Sequence, residues 1–156
     1  MKKKIILLFS CVFLGVILMA VFLLPVRPVV IIKNNTRELL YIFAGEGIFG
    51  VEPEPDEVEA IVKSRPEVLL PGKKLKLTAS FTSLIKKDAT IDIGWRIGGP
   101  YEYNSTGGGG QNFLLSSTEG ACSVSIEIQE GSDTNTLKNA PGDFCFKKIK
   151  SFHYKY

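Results

Sequence analysis

The chain has 156 residues, three cysteines and a formal net charge of +3. Its 19 Lys and Arg exceed its 16 Asp and Glu by three residues, which matches the three lysines at the N-terminus, Lys2, Lys3 and Lys4. Residues 27–156 are therefore neutral overall. A neutral domain lacks the positive surface with which proteins bind nucleic acid, so the composition predicts no nucleic-acid partner.

Residues 5–26 form an uncharged stretch, IILLFSCVFLGVILMAVFLLPV. A helix of roughly 20 apolar residues crosses a bilayer, whereas the apolar core of a cleaved signal peptide has about 7–15 residues. Positive residues beside a span stay cytoplasmic. The pattern predicts a cytoplasmic basic tip (1–4), a transmembrane signal anchor in the lipid bilayer (5–26) and an exported domain (27–156). In a bacterium this is a single-pass inner-membrane protein with a periplasmic C-terminal domain. Two alternatives stay open, a cleaved signal peptide and a lipoprotein modified at Cys11.

The cysteines agree with export. Cys122 and Cys145 are the two cysteines outside the apolar stretch, and an even pair in an oxidising compartment predicts a disulfide. A structural zinc site normally takes four ligands, and the single histidine, His153, leaves too few soft ligands. We therefore expect no metal and no cofactor.

The exported residues show the patterns of a β-rich domain. Continuous or alternating apolar residues predict strands, which we place at 29–32, 39–43, 73–81, 90–97, 113–115, 122–129 and 144–154, the first two as a hairpin. Residues 56–63 form a helical candidate that would dock on a sheet through Val58, Ile61 and Val62. We interpret residues 98–112, with their glycine run, and 130–141 as loops. The prediction is a mainly β fold, an antiparallel β-sandwich-like domain of about seven strands with one short helix.

The candidates for catalysis are weak. His153 is the single histidine, and Asp88 and Asp92 are the pair of acids flanked by strand patterns. Nucleophilic catalysis needs a base beside the nucleophile, and glycoside hydrolysis needs two acids across a cleft. The glycine run lacks the Gly-Lys-Ser/Thr ending of a phosphate loop. We therefore expect a protein that is not an enzyme and has no small-molecule substrate.

Two charged segments could instead face a partner or lipid headgroups. The segment from Glu46 to Glu59 has six acids and no basic residue, and lysines crowd the C-terminus at Lys147, Lys148, Lys150 and Lys155. Solvated surface is the simpler interpretation of both.

A contact surface is predicted around the glycine run, because aromatic side chains are enriched at recognition surfaces and glycine lets backbones approach closely. Its residues are Tyr101, Tyr103, Gly108, Gly109 and Phe113. An anchored, disulfide-linked domain with such loops is similar in plan, though not in motif, to the membrane-anchored immunity proteins that bacteria keep against toxins delivered to the periplasm. That resemblance implies a protein partner in the periplasm. The alternative is a structural or accessory subunit of an envelope secretion or conjugation machine.

Overall fold

The computed structural model describes residues 2–23, 27–130, 135–140 and 144–152. Helix α1, Lys2–Leu23, occupies most of the apolar N-terminal stretch, and its side chains are described at Ile6 and at residues 9–19. Within the part of the chain described, no helix is long and apolar enough to cross a membrane. The transmembrane span predicted for residues 5–26 is therefore not shown.

The described residues after α1 form nine strands and two short helices. In chain order these are β1 Val29–Asn34, β2 Leu40–Ile48, α2 Pro55–Lys63, β3 Glu67–Leu69, β4 Lys74–Thr78, α3 Phe81–Ile85, β5 Ala89–Ile97, β6 Gly107–Ser116, β7 Ser123–Ile128, β8 Asn135–Ala140 and β9 Lys148–Phe152. The prediction of a mainly β fold is confirmed. The expected number of about seven strands was too low.

The strands form two sheets. One has the order β4-β1-β7-β8 and the other β3-β2-β5-β6-β9. All neighbours are antiparallel except β1 and β7, which run parallel with Val30 opposite Val124 and Ile32 opposite Ile126. The predicted β1–β2 hairpin is wrong, because the two strands belong to different sheets.

One apolar core lies between the sheets. Its buried cluster takes Val30 and Ile126 from the four-stranded sheet and Ile93, Trp95 and Phe113 from the five-stranded sheet. Apolar faces of both sheets that share a core give the two-layer arrangement of a β-sandwich. The alternation predicted for 90–97 is confirmed, since Ile91, Ile93, Trp95 and Ile97 are all buried.

A buried asparagine directs the chain from one sheet to the other. Asn34, at the end of β1, is fully buried. Its amide donates to the backbone carbonyls of Glu38 (2.8 Å) and Leu69 (2.9 Å), and its oxygen accepts from the N–H and hydroxyl of Thr36 (2.9 and 2.8 Å). These hydrogen bonds satisfy the buried polar groups of the turn at 34–38, and this turn leads into β2 in the opposite sheet.

The glycine run is a strand and not the predicted loop. Gly107 to Gly110 pair with residues 94–97 of β5. A Cβ on Gly109 would lie 2.7 Å from Cζ2 of Trp95, and one on Gly108 would lie 2.6 Å from the Trp95 carbonyl oxygen. Glycine is needed at 109 because the indole lies against the β6 backbone, and at 108 because the Trp95 carbonyl oxygen approaches that backbone closely.

Three other elements differ from the prediction. Residues 135–140 form the edge strand β8 and not a loop; polar edge strands lack the alternation that marks half-buried ones. The strand predicted at 73–81 ends at Thr78, because the Ser80 hydroxyl accepts the Ser83 N–H (3.1 Å) and starts α3. The helix at 55–63 is confirmed, but its predicted docking is wrong, since Val58, Ile61 and Val62 are exposed by 43, 60 and 77%.

Candidate functional site

The predicted disulfide between Cys122 and Cys145 is confirmed, with Cα atoms 5.7 Å apart. Cys122 precedes β7 in one sheet and Cys145 precedes β9 in the other. Beside it, Ala121 and Ile149 exchange two backbone hydrogen bonds of 3.0 and 2.7 Å. Gly120 has φ +112°, and a Cβ there would lie 2.2 Å from the Ile149 carbonyl oxygen. These contacts join the two sheets at one end.

The five residues of the predicted contact surface do not lie together on one exposed surface. Tyr101 and Tyr103 are 58 and 74% exposed, and their rings stack with centroids 5.3 Å apart. Phe113 is fully buried in the core, so its assignment to an exposed surface needs correction; it alternates with Asn112 and Leu114 and points inward. Gly108 and Gly109 lie in β6 beneath Trp95. Of the five predicted residues, Tyr101 and Tyr103 are the two with exposed aromatic side chains.

The loop that carries the tyrosines is held to the sheet. The Tyr41 hydroxyl donates to the Gly99 carbonyl (3.3 Å), and the Arg96 guanidinium donates to the Glu102 carbonyl (3.3 Å). Gly99 has φ +86°, and a Cβ there would lie 1.8 Å from the Asn104 carbonyl oxygen. These contacts give the tyrosine pair a defined position.

A second feature lies between α2 and the outer face of the five-stranded sheet. It is a groove of about 760 Å³, within the range of roughly 300–1,000 Å³ typical of ligand sites. We call it the α2 groove. Its lining comes from β2, the 51–53 segment, α2, β5 and β6, and includes Phe43, Gly45, Gly47, Val51, Glu52, Glu57, Ala60, Ile61, Ser64, Lys86, Thr90, Asp92, Gly94, Gly110 and Asn112.

Glycines on the outer sheet face give the groove its floor. The register places Gly45 opposite Asp92, and Gly94 between Phe43 and Gly110. A Cβ on Gly45 would meet nothing within 4 Å, and one on Gly94 would come no closer than 3.9 Å to any atom. Unlike Gly108 and Gly109, these two residues are not required by packing, and their missing side chains leave open space in the groove.

Asp92 is an acidic group on the floor of the groove. Its Oδ2 accepts a hydrogen bond from the Thr90 hydroxyl (3.1 Å), while its Oδ1 is buried and has no hydrogen-bond partner among the described residues. Burial raises the pKa of the Asp92 carboxyl, and the Thr90 hydrogen bond opposes this in part. None of the ion pairs between described residues includes Asp92. A buried carboxylate oxygen without a donor is costly.

Helix α2 forms the acidic wall of the groove. Pro55 begins the helix, and Glu54 and Glu57 form a reciprocal capping box, which satisfies the first free N–H groups. Glu57, Ala60, Ile61 and Ser64 face the groove. Asp92, Glu52 and Glu57 outnumber the single lysine of the lining, Lys86, while the carboxylate of Glu46 is engaged by Ser80 and Ser83. The groove is therefore acidic with an apolar strip.

The predicted catalytic candidates do not come together. Asp88 lies at an exposed turn with φ +51° and is not part of the lining, while His153 lies outside the described residues. In the described ranges no three His, Cys, Asp or Glu side chains gather as metal ligands. The groove presents a carboxylate acceptor, an acidic wall and apolar contacts.

The sequence contains a signal for the groove in the spacing of its glycines. Gly45 and Gly47 have the period of two that places residues on one face of a strand, and Asp92 and Gly94 repeat that spacing on β5. A glycine-lined strand face is a sign of close approach.

Comparisons of the chain with protein-family models, with curated proteins and with solved structures gave no match. The site must therefore be interpreted from its own geometry.

Proposed function

We propose that this chain is a membrane-anchored binding protein that holds or neutralises a protein partner in the bacterial periplasm, and specifically an immunity protein against a toxin acting there. The observation that carries the proposal is the α2 groove, an open acidic cavity whose glycine floor leaves space that the fold itself does not fill. Apolar surface beside it on α2, at Ile61 and Val62, is exposed, and such surface favours a macromolecular partner.

The compartment is supported by two features. The Cys122–Cys145 disulfide is of a kind that persists in oxidising compartments. Residues 5–26 carry no charge and follow three lysines. Phe9 and Phe13 of α1 are exposed by 72 and 69%, and lipid is a natural environment for them.

Topology can be tested with full-length fusions. Alkaline phosphatase joined to the C-terminus of the full chain is expected to be active, because it needs the disulfides that form outside the cytoplasm. A green fluorescent protein fused to the same C-terminus is expected to be non-fluorescent, because Sec export carries it unfolded to the periplasm. If the green fluorescent protein fusion is fluorescent and the alkaline phosphatase fusion is inactive, the periplasmic location is overturned.

Immunity can be tested in the source bacterium. A strain lacking this chain is grown in mixture with its parent, and the full-length chain is then restored on a plasmid. We expect the deletion strain to be killed by the parent and rescued by the full chain. Equal survival in the mixture would refute the immunity role.

The alternative, a subunit of an envelope machine, is favoured by small residues in α1. A Cβ on Gly15 would meet nothing within 4 Å, so this position is free for contact with another helix. Replacing residues 5–26 with an unrelated membrane helix separates the two functions. Retained protection indicates a simple tether, whereas lost function indicates that the helix itself makes contacts.

A further inference from the structure

The α2 groove has unused capacity for a cation. An ionised carboxylate has about four lone-pair sites, and among the described residues Asp92 receives one hydrogen bond, from Thr90. Its Oδ1 receives none. Because Oδ1 is buried, a donor that enters the groove approaches the carboxylate at Oδ2, which can accept a second hydrogen bond beside the one from Thr90.

The charges around the groove specify the sign of its occupant. Glu52 and Glu57 stand beside Asp92 in the lining, and Lys86 is the one basic residue there. Asp56 adds negative charge to the exposed surface of α2, whereas Glu59 is paired with Lys63. A cationic group entering this site is attracted by the whole acidic segment.

The shape of the α2 groove determines the size of its occupant and where an apolar group of that occupant can lie. Open space above Gly45 and Gly94 admits a side chain onto the sheet, and the apolar strip of α2, with Ala60 and Ile61, offers contact for a second, apolar residue. A volume of about 760 Å³ accommodates a short peptide segment but not a whole helix or strand of a partner with its neighbouring residues.

We propose that the α2 groove binds a short segment of the partner protein, and that a lysine or arginine side chain of this segment pairs with the Asp92 carboxylate. The inference rests on the proposed function, because it names the chemistry by which this binding protein recognises its partner. The basic side chain adds a second donor to Oδ2 of Asp92, beside the Thr90 hydroxyl, and the apolar neighbour covers Ile61.

The test uses phage that display random linear peptides, selected on the purified full-length chain in detergent micelles. We expect enriched peptides to carry lysine or arginine next to an apolar residue. Their affinity for the full chain is then measured by fluorescence anisotropy. Asp92→Asn is expected to weaken binding about 10- to 100-fold, the range of a hydrogen bond to a charged group.

Asp88→Asn is the matched control. It removes the same charge four positions away, at an exposed turn outside the groove, and asparagine tolerates the positive φ of that residue. We expect it to bind the peptides as the unchanged chain does. An equal loss of binding in both variants would indicate a general charge effect and would overturn the specific role of Asp92.

A double-mutant cycle identifies the pair. Replacing the basic residue of a selected peptide with glutamine is expected to weaken binding to the unchanged chain about 10- to 100-fold and to have little further effect on the Asp92→Asn variant. Additive losses would show that the basic residue binds elsewhere and would overturn the pairing.

Gly94→Val tests the groove without touching a charge. The nearest atoms to a Cβ at Gly94 are 3.9 and 4.0 Å away, and β-branched residues suit strands, so the variant is expected to fold, which its Tm checks, and to lose the peptides. Peptides that bind this variant normally would place the site elsewhere. If the selected peptides instead depend on Tyr101 and Tyr103, the groove is refuted while the proposed binding function survives. A selection that enriches only peptides without basic residues refutes the inference as well.

Discussion

The packing of Trp95 against the glycine run makes a specific prediction about stability. Trp95 is only 6% exposed, and a Cβ on Gly109 would lie 2.7, 2.9 and 3.1 Å from three atoms of its indole ring. Contacts this short force the ring or the β6 backbone to move, and overpacking of this kind costs about 1–3 kcal/mol. We expect Gly109→Ala to lower the free energy of unfolding by that amount.

Gly45→Ala is the matched control for this change. Gly45 is also in a strand of the same sheet, but a Cβ there would meet nothing within 4 Å. Alanine restricts the unfolded chain more than glycine does, so this variant should gain about 0.5 kcal/mol. The two alanine variants are therefore expected to differ by about 1.5–3.5 kcal/mol.

The measurement uses the single tryptophan of the chain. Thermal unfolding of the full chain in detergent micelles is followed by the fluorescence of Trp95. For a domain of this size 1 kcal/mol shifts Tm by about 4 °C, so Gly109→Ala should melt about 4–12 °C lower than the unchanged chain. Its emission should also shift to the red as the indole is pushed toward solvent. A Tm for Gly109→Ala equal to that of Gly45→Ala, with unchanged emission, would refute the packing argument.

Three further outcomes are expected. Asn34→Asp replaces the amide that donates to two backbone carbonyls and should cost about 3 kcal/mol or more in a denaturant titration, whereas Asn35→Asp should cost much less; equal losses would contradict the turn assignment. Reducing the Cys122–Cys145 bond, which spans a sequence separation of 23, should lower stability by about 3 kcal/mol, and an unchanged midpoint would show that the bond adds nothing. Burial raises the pKa of the Asp92 carboxyl above its unfolded value of 3.8, so the folded chain binds more protons than the unfolded chain and loses stability as the pH rises above 3.8. Asp92→Asn should therefore have a higher Tm than the unchanged chain at pH 7 and lose this advantage near pH 3. A Tm advantage that does not depend on pH would refute the burial argument.

The Asp92 variant connects stability with binding. Removal of the carboxylate charge of Asp92 should stabilise the free chain, while the same change weakens the binding of a cationic ligand. A residue that costs stability and supports binding is typical of functional sites. The reverse result, a less stable variant with unchanged peptide affinity, would assign Asp92 a purely structural role.

Local patterns in the sequence determined several elements directly. The alternation of residues 90–97 and 122–128 predicted β5 and β7, because a strand with one buried face repeats every two residues. Acids at the start of residues 56–63 and Lys63 at their end suit the helix dipole and predicted α2, although the structure begins the helix one residue earlier, at Pro55. The disulfide followed from Cys122 and Cys145 alone, since the only other cysteine lies in the apolar stretch.

The tertiary structure decided which strands pair and what the glycines do. The parallel pairing of β1 with β7 joins segments far apart in the chain, and no local pattern encodes such a partner. Gly107 to Gly110 have no side chains to show a period, so their strand conformation depends on hydrogen bonds to β5 and on the position of Trp95. The groove depends on the same long-range pairing: Gly45 and Asp92 become neighbours only when β2 and β5 align, and that register leaves the carboxylate buried beside open space.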